Sequence, residues 1–76
     1  MKVDTPQQDT MIYIYGGRGG ATVNFASYKY WEIIGELIFK GVERMEAYDA
    51  GKWAKRATVG EVKHLSHNVT MKVKAI

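Results

Sequence analysis

Tyr13 and Tyr15 stand two residues apart in Met11-Ile12-Tyr13-Ile14-Tyr15, and Lys72 and Lys74 stand two apart in the segment 69–76. A period of two puts each pair on one face of its strand. If the two strands are near each other, aromatics and cations share one surface. Tyrosines on such a surface can anchor a protein partner. Tyrosines that stack on bases, with lysines on the phosphates, can instead bind nucleic acid. Arg18, flanked by Gly16-Gly17 and Gly19-Gly20, adds a guanidinium that can grip an anion bidentately, and glycine backbone that can approach it closely.

The other reactive side chains form no constellation. His64 and His67 are three apart, a spacing that in a strand or turn points them to different sides. A metal would need further ligands, and the chain has no cysteine to supply a thiolate, a nucleophile or a disulfide. Glu32, Glu36, Glu43 and Glu46 recur at helical spacing, the pattern of a solvated face. Ser27 is wanted as a helix cap and Ser66 as part of a turn. The expectation is therefore a protein that is not an enzyme and takes neither metal nor cofactor. Gly16–Gly20 resembles one unit of the RGG motifs of RNA-binding proteins, but those act in many copies. It also lacks the Lys-Ser/Thr ending of a phosphate-binding P-loop, and reads first as a hairpin tip.

Charge is uneven along the chain. Residues 1–51 are mildly acidic, whereas residues 52–76 carry Lys52, Lys55, Arg56, Lys63, Lys72 and Lys74 against the single carboxylate Glu61. A basic last third on a chain of net charge +3 points to an anionic partner or to a solvated sheet edge.

The elements that must position these residues follow from periodicity. Residues 1–9 are polar, with one proline and no period, and read as a flexible arm. A single domain is expected over residues 10–76. Residues 11–15 and 21–25 read as two strands joined by the glycine turn. The pairing that sets Ile14 against Val23 and Ile12 against Phe25 separates apolar from polar most cleanly, and leaves Tyr13 and Tyr15 on the outer face. Ser27–Gly41 is the one strongly helical stretch. Ser27 can cap it, and Tyr30, Ile34, Leu37 and Ile38 form its core face, with Trp31 at the edge. Lys40 falls on the solvated side, four residues after Glu36. Gly41 can stop the helix in the left-handed conformation, with Val42 packing back on Leu37. A helix running on through Asp49 to Gly51 is set slightly ahead of that stop, and a strand over residues 42–48 is the third reading. Residues 53–62 read as a strand bent at Gly60, Ser66-His67-Asn68 as a turn, and residues 69–76 as the cleanest strand.

The architecture expected is α+β, in the order ββαββ or ββαβββ, with one helix across one face of an antiparallel sheet. No signal-peptide pattern and no membrane-length apolar run is visible, so the cytoplasm is the expected compartment, the host's if the chain is viral. The leading functional expectation is a small non-enzymatic module that binds a larger protein or complex through Tyr13, Tyr15, Arg18, Lys72 and Lys74. Its size and lack of chemistry suit an occluding inhibitor of the phage or mobile-element kind, anti-CRISPR proteins among them. The alternative is a nucleic-acid-binding domain using Arg18, Lys55, Arg56, Lys72 and Lys74. A homodimer that closes the free sheet face is compatible with both.

Overall fold

The computed structural model describes residues 10–76; the arm expected over residues 1–9 lies outside the described residues. The class is α+β, as expected, with two helices rather than one. Strands β1 (Thr10–Tyr15) and β2 (Val23–Ala26) come first. Helices α1 (Tyr30–Phe39) and α2 (Arg44–Arg56) follow, and then strands β3 (Val62–His64) and β4 (Thr70–Ala75). All neighbouring strands are antiparallel, in the order β2-β1-β4-β3, so the first and last strands pair at the centre.

The hairpin takes the register expected from its alternation, Ile14 opposite Val23 and Ile12 opposite Phe25. Ile12, Ile14, Met71 and Val73 thereby face the helices and are buried with Ile33, Ile34, Leu37 and Val42. Each such side chain taken from water contributes roughly 1.5–3 kcal/mol before entropy is subtracted.

Helix α1 ends where a glycine stop was available. Gly41 has φ +105°, its amide donates to the Ile38 carbonyl at 3.0 Å, and the Val42 amide donates to the Leu37 carbonyl at 2.9 Å. This is a Schellman motif. It overturns the reading of one helix through Asp49, because the chain reverses at Gly41 and starts α2 at Arg44. A strand over residues 42–48 and one over residues 53–62 are overturned as well: α2 runs through Arg56, and the strand after it is only Val62–His64.

The buried side of α2 is Ala47, Ala50, Gly51 and Ala54. These small residues let the helix lie close to α1. A Cβ on Gly51 would meet the Ile34 side chain at 2.7 Å, so the glycine is a contact surface here and not a stop. Lys55 Nζ lies 4.5 Å from the Tyr30 ring centre, which with the Gly51–Ile34 contact makes α1 and α2 antiparallel.

Three side chains lie elsewhere than expected. Ser27 makes no cap: α1 begins after Lys29 with no side-chain hydrogen bond. Ser27 is buried at the end of the hairpin, and its hydroxyl accepts from Thr10 Oγ1 at 2.8 Å. Ile38 is 42% exposed, and Ile33 occupies the core position instead. Lys40, expected on the solvated side, is 1% exposed.

Candidate functional site

The helices cover one face of the sheet, and among the described residues no element covers the other. Outward positions alternate along each strand: Met11, Tyr13 and Tyr15 on β1, Asn24 and Ala26 on β2, Thr70, Lys72 and Lys74 on β4, Val62 and His64 on β3. Because β1 and β4 are neighbours, the two tyrosines and the two lysines meet at the middle of this face. Tyr13 lies directly opposite Lys72, and Tyr15 opposite Thr70. Each lysine reaches diagonally over a ring. Lys72 Nζ is 5.5 Å from the centre of Tyr15, and Lys74 Nζ is 4.7 Å from that of Tyr13. The rings themselves stack with centres 6.3 Å apart and planes 24° from parallel. Cation–π attraction at such distances contributes about 0.5–1 kcal/mol at an exposed site, enough to orient the side chains.

Electrostatically the face has one sign. Among the described residues, no outward position of the four strands carries a carboxylate. His64 Nδ1 lies 3.2 Å from Thr70 Oγ1 across the β3–β4 pair. At the rim a cleft of about 360 Å³ runs along Lys72 and Lys74 beside Val59, Gly60 and Glu61. The Glu61 carboxylate is engaged there, accepting from the Thr58 amide and hydroxyl, each at 2.8 Å. Those bonds hold its carboxyl below the ordinary glutamate value. Glu46, on α2, accepts from the Ser66 amide at 3.0 Å and from its hydroxyl at 2.6 Å. The Ser66 hydrogen bonds, with His67 and Lys63 nearby, hold Glu46 low as well.

The structure splits the remaining candidates away from this face. Lys55 and Arg56 belong to the last turn of α2, in the helical layer, where Arg56 donates to the Lys52 carbonyl at 3.4 Å. Arg18 is exposed in the glycine loop, but its backbone is tied to the end of α1: its amide donates to the Lys40 carbonyl at 3.0 Å. His67 lies in the β3–β4 turn, with Nδ1 3.2 Å from Ser66 Oγ. No three His, Asp or Glu side chains converge among the described residues.

The glycine loop is built into the fold more firmly than a hairpin tip would be. Lys40 Nζ donates to the carbonyls of Gly16 and Ala21, and stands 3.9 Å from Glu36 Oε2. Gly17 has φ +74°, and a Cβ there would sit 2.8 Å from both Lys40 Cβ and Val69 Cγ2. One half of the loop is therefore clasped by the buried lysine, while Gly19 and Gly20 stand clear.

Sequence reasoning missed a second surface, on the outer side of the helices. Tyr30, Trp31, Ile34, Tyr48 and Lys52 line an apolar groove of about 200 Å³ between α1 and α2. The available signal was that α1 is apolar almost all round, which in a helix over a sheet leaves one apolar side without cover.

Comparison with known proteins finds no family model, no curated protein and no solved structure that matches the chain.

Proposed function

We propose that the chain is a non-enzymatic binding module that docks on a larger protein through the open face of its sheet. The observation that carries this reading is the interleaving of Tyr13 and Tyr15 with Lys72 and Lys74 on a sheet face whose outward strand positions, among the described residues, hold no carboxylate. Tyrosines held by their neighbours lose little further entropy on binding and make efficient anchors. The lysines select a partner surface bearing Asp or Glu and repel a basic one. Blocking such a surface is how an occluding inhibitor works. The phage and mobile-element kind, anti-CRISPR proteins included, rests on the chain's size and on a sequence in which no catalytic constellation stands out.

A nucleic-acid reading is favoured by one finding: the acidic series Glu32, Glu36, Glu43, Glu46 and Asp49 lies in the helical layer or its connection and leaves the sheet face cationic. Magnitude weighs against it. A protein held by its phosphate contacts commonly makes about 6–10 of them, and among the described outward positions of this face the lysines are Lys72 and Lys74.

The test compares the chain with its Tyr13→Ala and Tyr15→Ala variants in affinity capture from the native host, followed by binding of the recovered partner. A protein should be retained by the parent and weakened about thirtyfold or more by either change, the effect of losing an anchor of about 2 kcal/mol. Binding to a random single-stranded oligonucleotide should be weak. Submicromolar oligonucleotide binding at about 150 mM salt, lost when Lys72 and Lys74 become Ala, would replace this reading with the nucleic-acid one.

A further inference from the structure

The exposed side of α1 carries Trp31, Gly35, Ile38 and Phe39, at i, i+4, i+7 and i+8, the spacing of one helical stripe. Trp31 is 66% and Phe39 64% exposed. Gly35 is exposed, and a Cβ built on it meets nothing within 4 Å. Tyr28 and, on α2, Met45 and Tyr48 are exposed as well, and Tyr48 lines one groove with Trp31. With about 150–250 Å² per aromatic side chain, Tyr28, Trp31, Phe39 and Tyr48 alone expose on the order of 450 Å². Met45 and Ile38 add to that. The patch reaches the upper end of what a monomer leaves in water, about 300–600 Å². It also approaches the roughly 800 Å² that each partner gives to a standard interface.

The stripe is also symmetric. Trp31 and Phe39 stand one turn either side of Gly35. A twofold axis crossing α1 at Gly35 would lay a second α1 antiparallel on the first, glycine against glycine, with each Trp31 set on the Phe39 of the other copy. Such a surface is complementary to itself, as a twofold interface requires. The absence of a side chain at Gly35 lets the two backbones approach while the aromatics close the ends. The same axis suits α2. Gly51 faces Ile34 across the antiparallel pair, so Ala50 is level with Gly35, and Tyr48 and Lys52 stand two residues either side of it. Tyr48 of one copy then meets Lys52 of the other, a cation–π pairing.

We propose that the chain forms a twofold homodimer through the outer face of its helices, with Gly35 on the axis and Trp31 of each copy packed on Phe39 of the other. This interface is separate from the open sheet face, and its test does not depend on the identity of any partner.

Sedimentation equilibrium from about 1 to 200 µM should show monomer and dimer in exchange. Phe39→Asp should weaken the dimer by about thirtyfold or more. Circular dichroism should be unchanged, since this side chain is mostly in solvent. The chain has no cysteine, so Gly35→Cys places a single thiol at the axis. On mild oxidation it should form a disulfide-linked dimer, whereas Asn24→Cys, exposed on the opposite face, should not. A monomer throughout the range would overturn the proposal. So would a dimer that Phe39→Asp leaves intact, or equal cross-linking from both cysteine positions.

Discussion

At the scale of single residues, Lys40 links the glycine loop to the end of α1. Its ammonium holds the Gly16 and Ala21 carbonyls, its own carbonyl accepts from the Arg18 amide, and it sits at the end of α1, where a cation favours the helix dipole. Lys40→Met keeps the aliphatic stem and removes the charge. Two carbonyls then lose their donor, and the cost should be about 1–3 kcal/mol. The measurement is a urea midpoint at unchanged slope, together with hydrogen exchange at the Arg18 amide, which should become fast. A loss below about 0.5 kcal/mol with that amide still slow would mean that glycine packing alone holds the loop. None of this was legible from sequence. Lys40 follows Glu36 by four residues, which reads as a surface ion pair. Only the return of the hairpin loop over the C-terminus of α1 puts that lysine inside.

Between elements, the contact to test is the one joining α2 to the β3–β4 turn. Glu46 accepts both Ser66 bonds as a carboxylate, so its folded pKa lies below its unfolded one. A depressed carboxyl contributes stability that is complete above the unfolded value and is lost as pH falls through the folded value. Glu61, capped by Thr58, acts in the same direction. The melting temperature should therefore drop as pH is lowered from about 5 towards 3, and Glu46→Gln should flatten part of that fall. An acid limb identical in the variant would show that the Ser66 bonds contribute nothing. The elements themselves were unequally legible. The alternation of β1 and the period-two pattern of β4 are backbone signals that tertiary packing does not overrule. The stop at Gly41 was visible only as an option, because the helix formers after it set the longer helix ahead. The second helix was hidden because its inner face is Ala47, Ala50, Gly51 and Ala54. Small residues give little apolar period, while Trp53 and the following Thr58-Val59 read as strand. The chemistry of the open face was legible because register and strand pairing follow from the same alternation. Its separation from Lys55 and Arg56 was not, since that depended on a helix read as a strand, nor was that from Arg18, whose loop is tied back to Lys40.

At the scale of the whole molecule, the two surfaces lie on opposite layers. The sheet presents tyrosines and lysines outward on one side, and the helices present Trp31, Phe39 and Tyr48 on the other. Changes on the two sides should be energetically independent, since they share no partner side chains. A dimer joined through the helices would carry two open sheet faces pointing away from each other. Such a molecule is bivalent. It would bind a partner that displays two copies of its site at matching separation more tightly than a single site, by about 10²–10⁴. Phe39→Asp separates the terms. It should remove that gain on a surface densely coated with partner while leaving the affinity for one partner in solution unchanged. Tyr13→Ala should lower both. Biosensor titrations at high and low partner density measure the difference directly. If Phe39→Asp weakened the solution affinity as strongly as Tyr13→Ala, the partner would be touching the helical layer, and the division of labour between the two faces would be wrong.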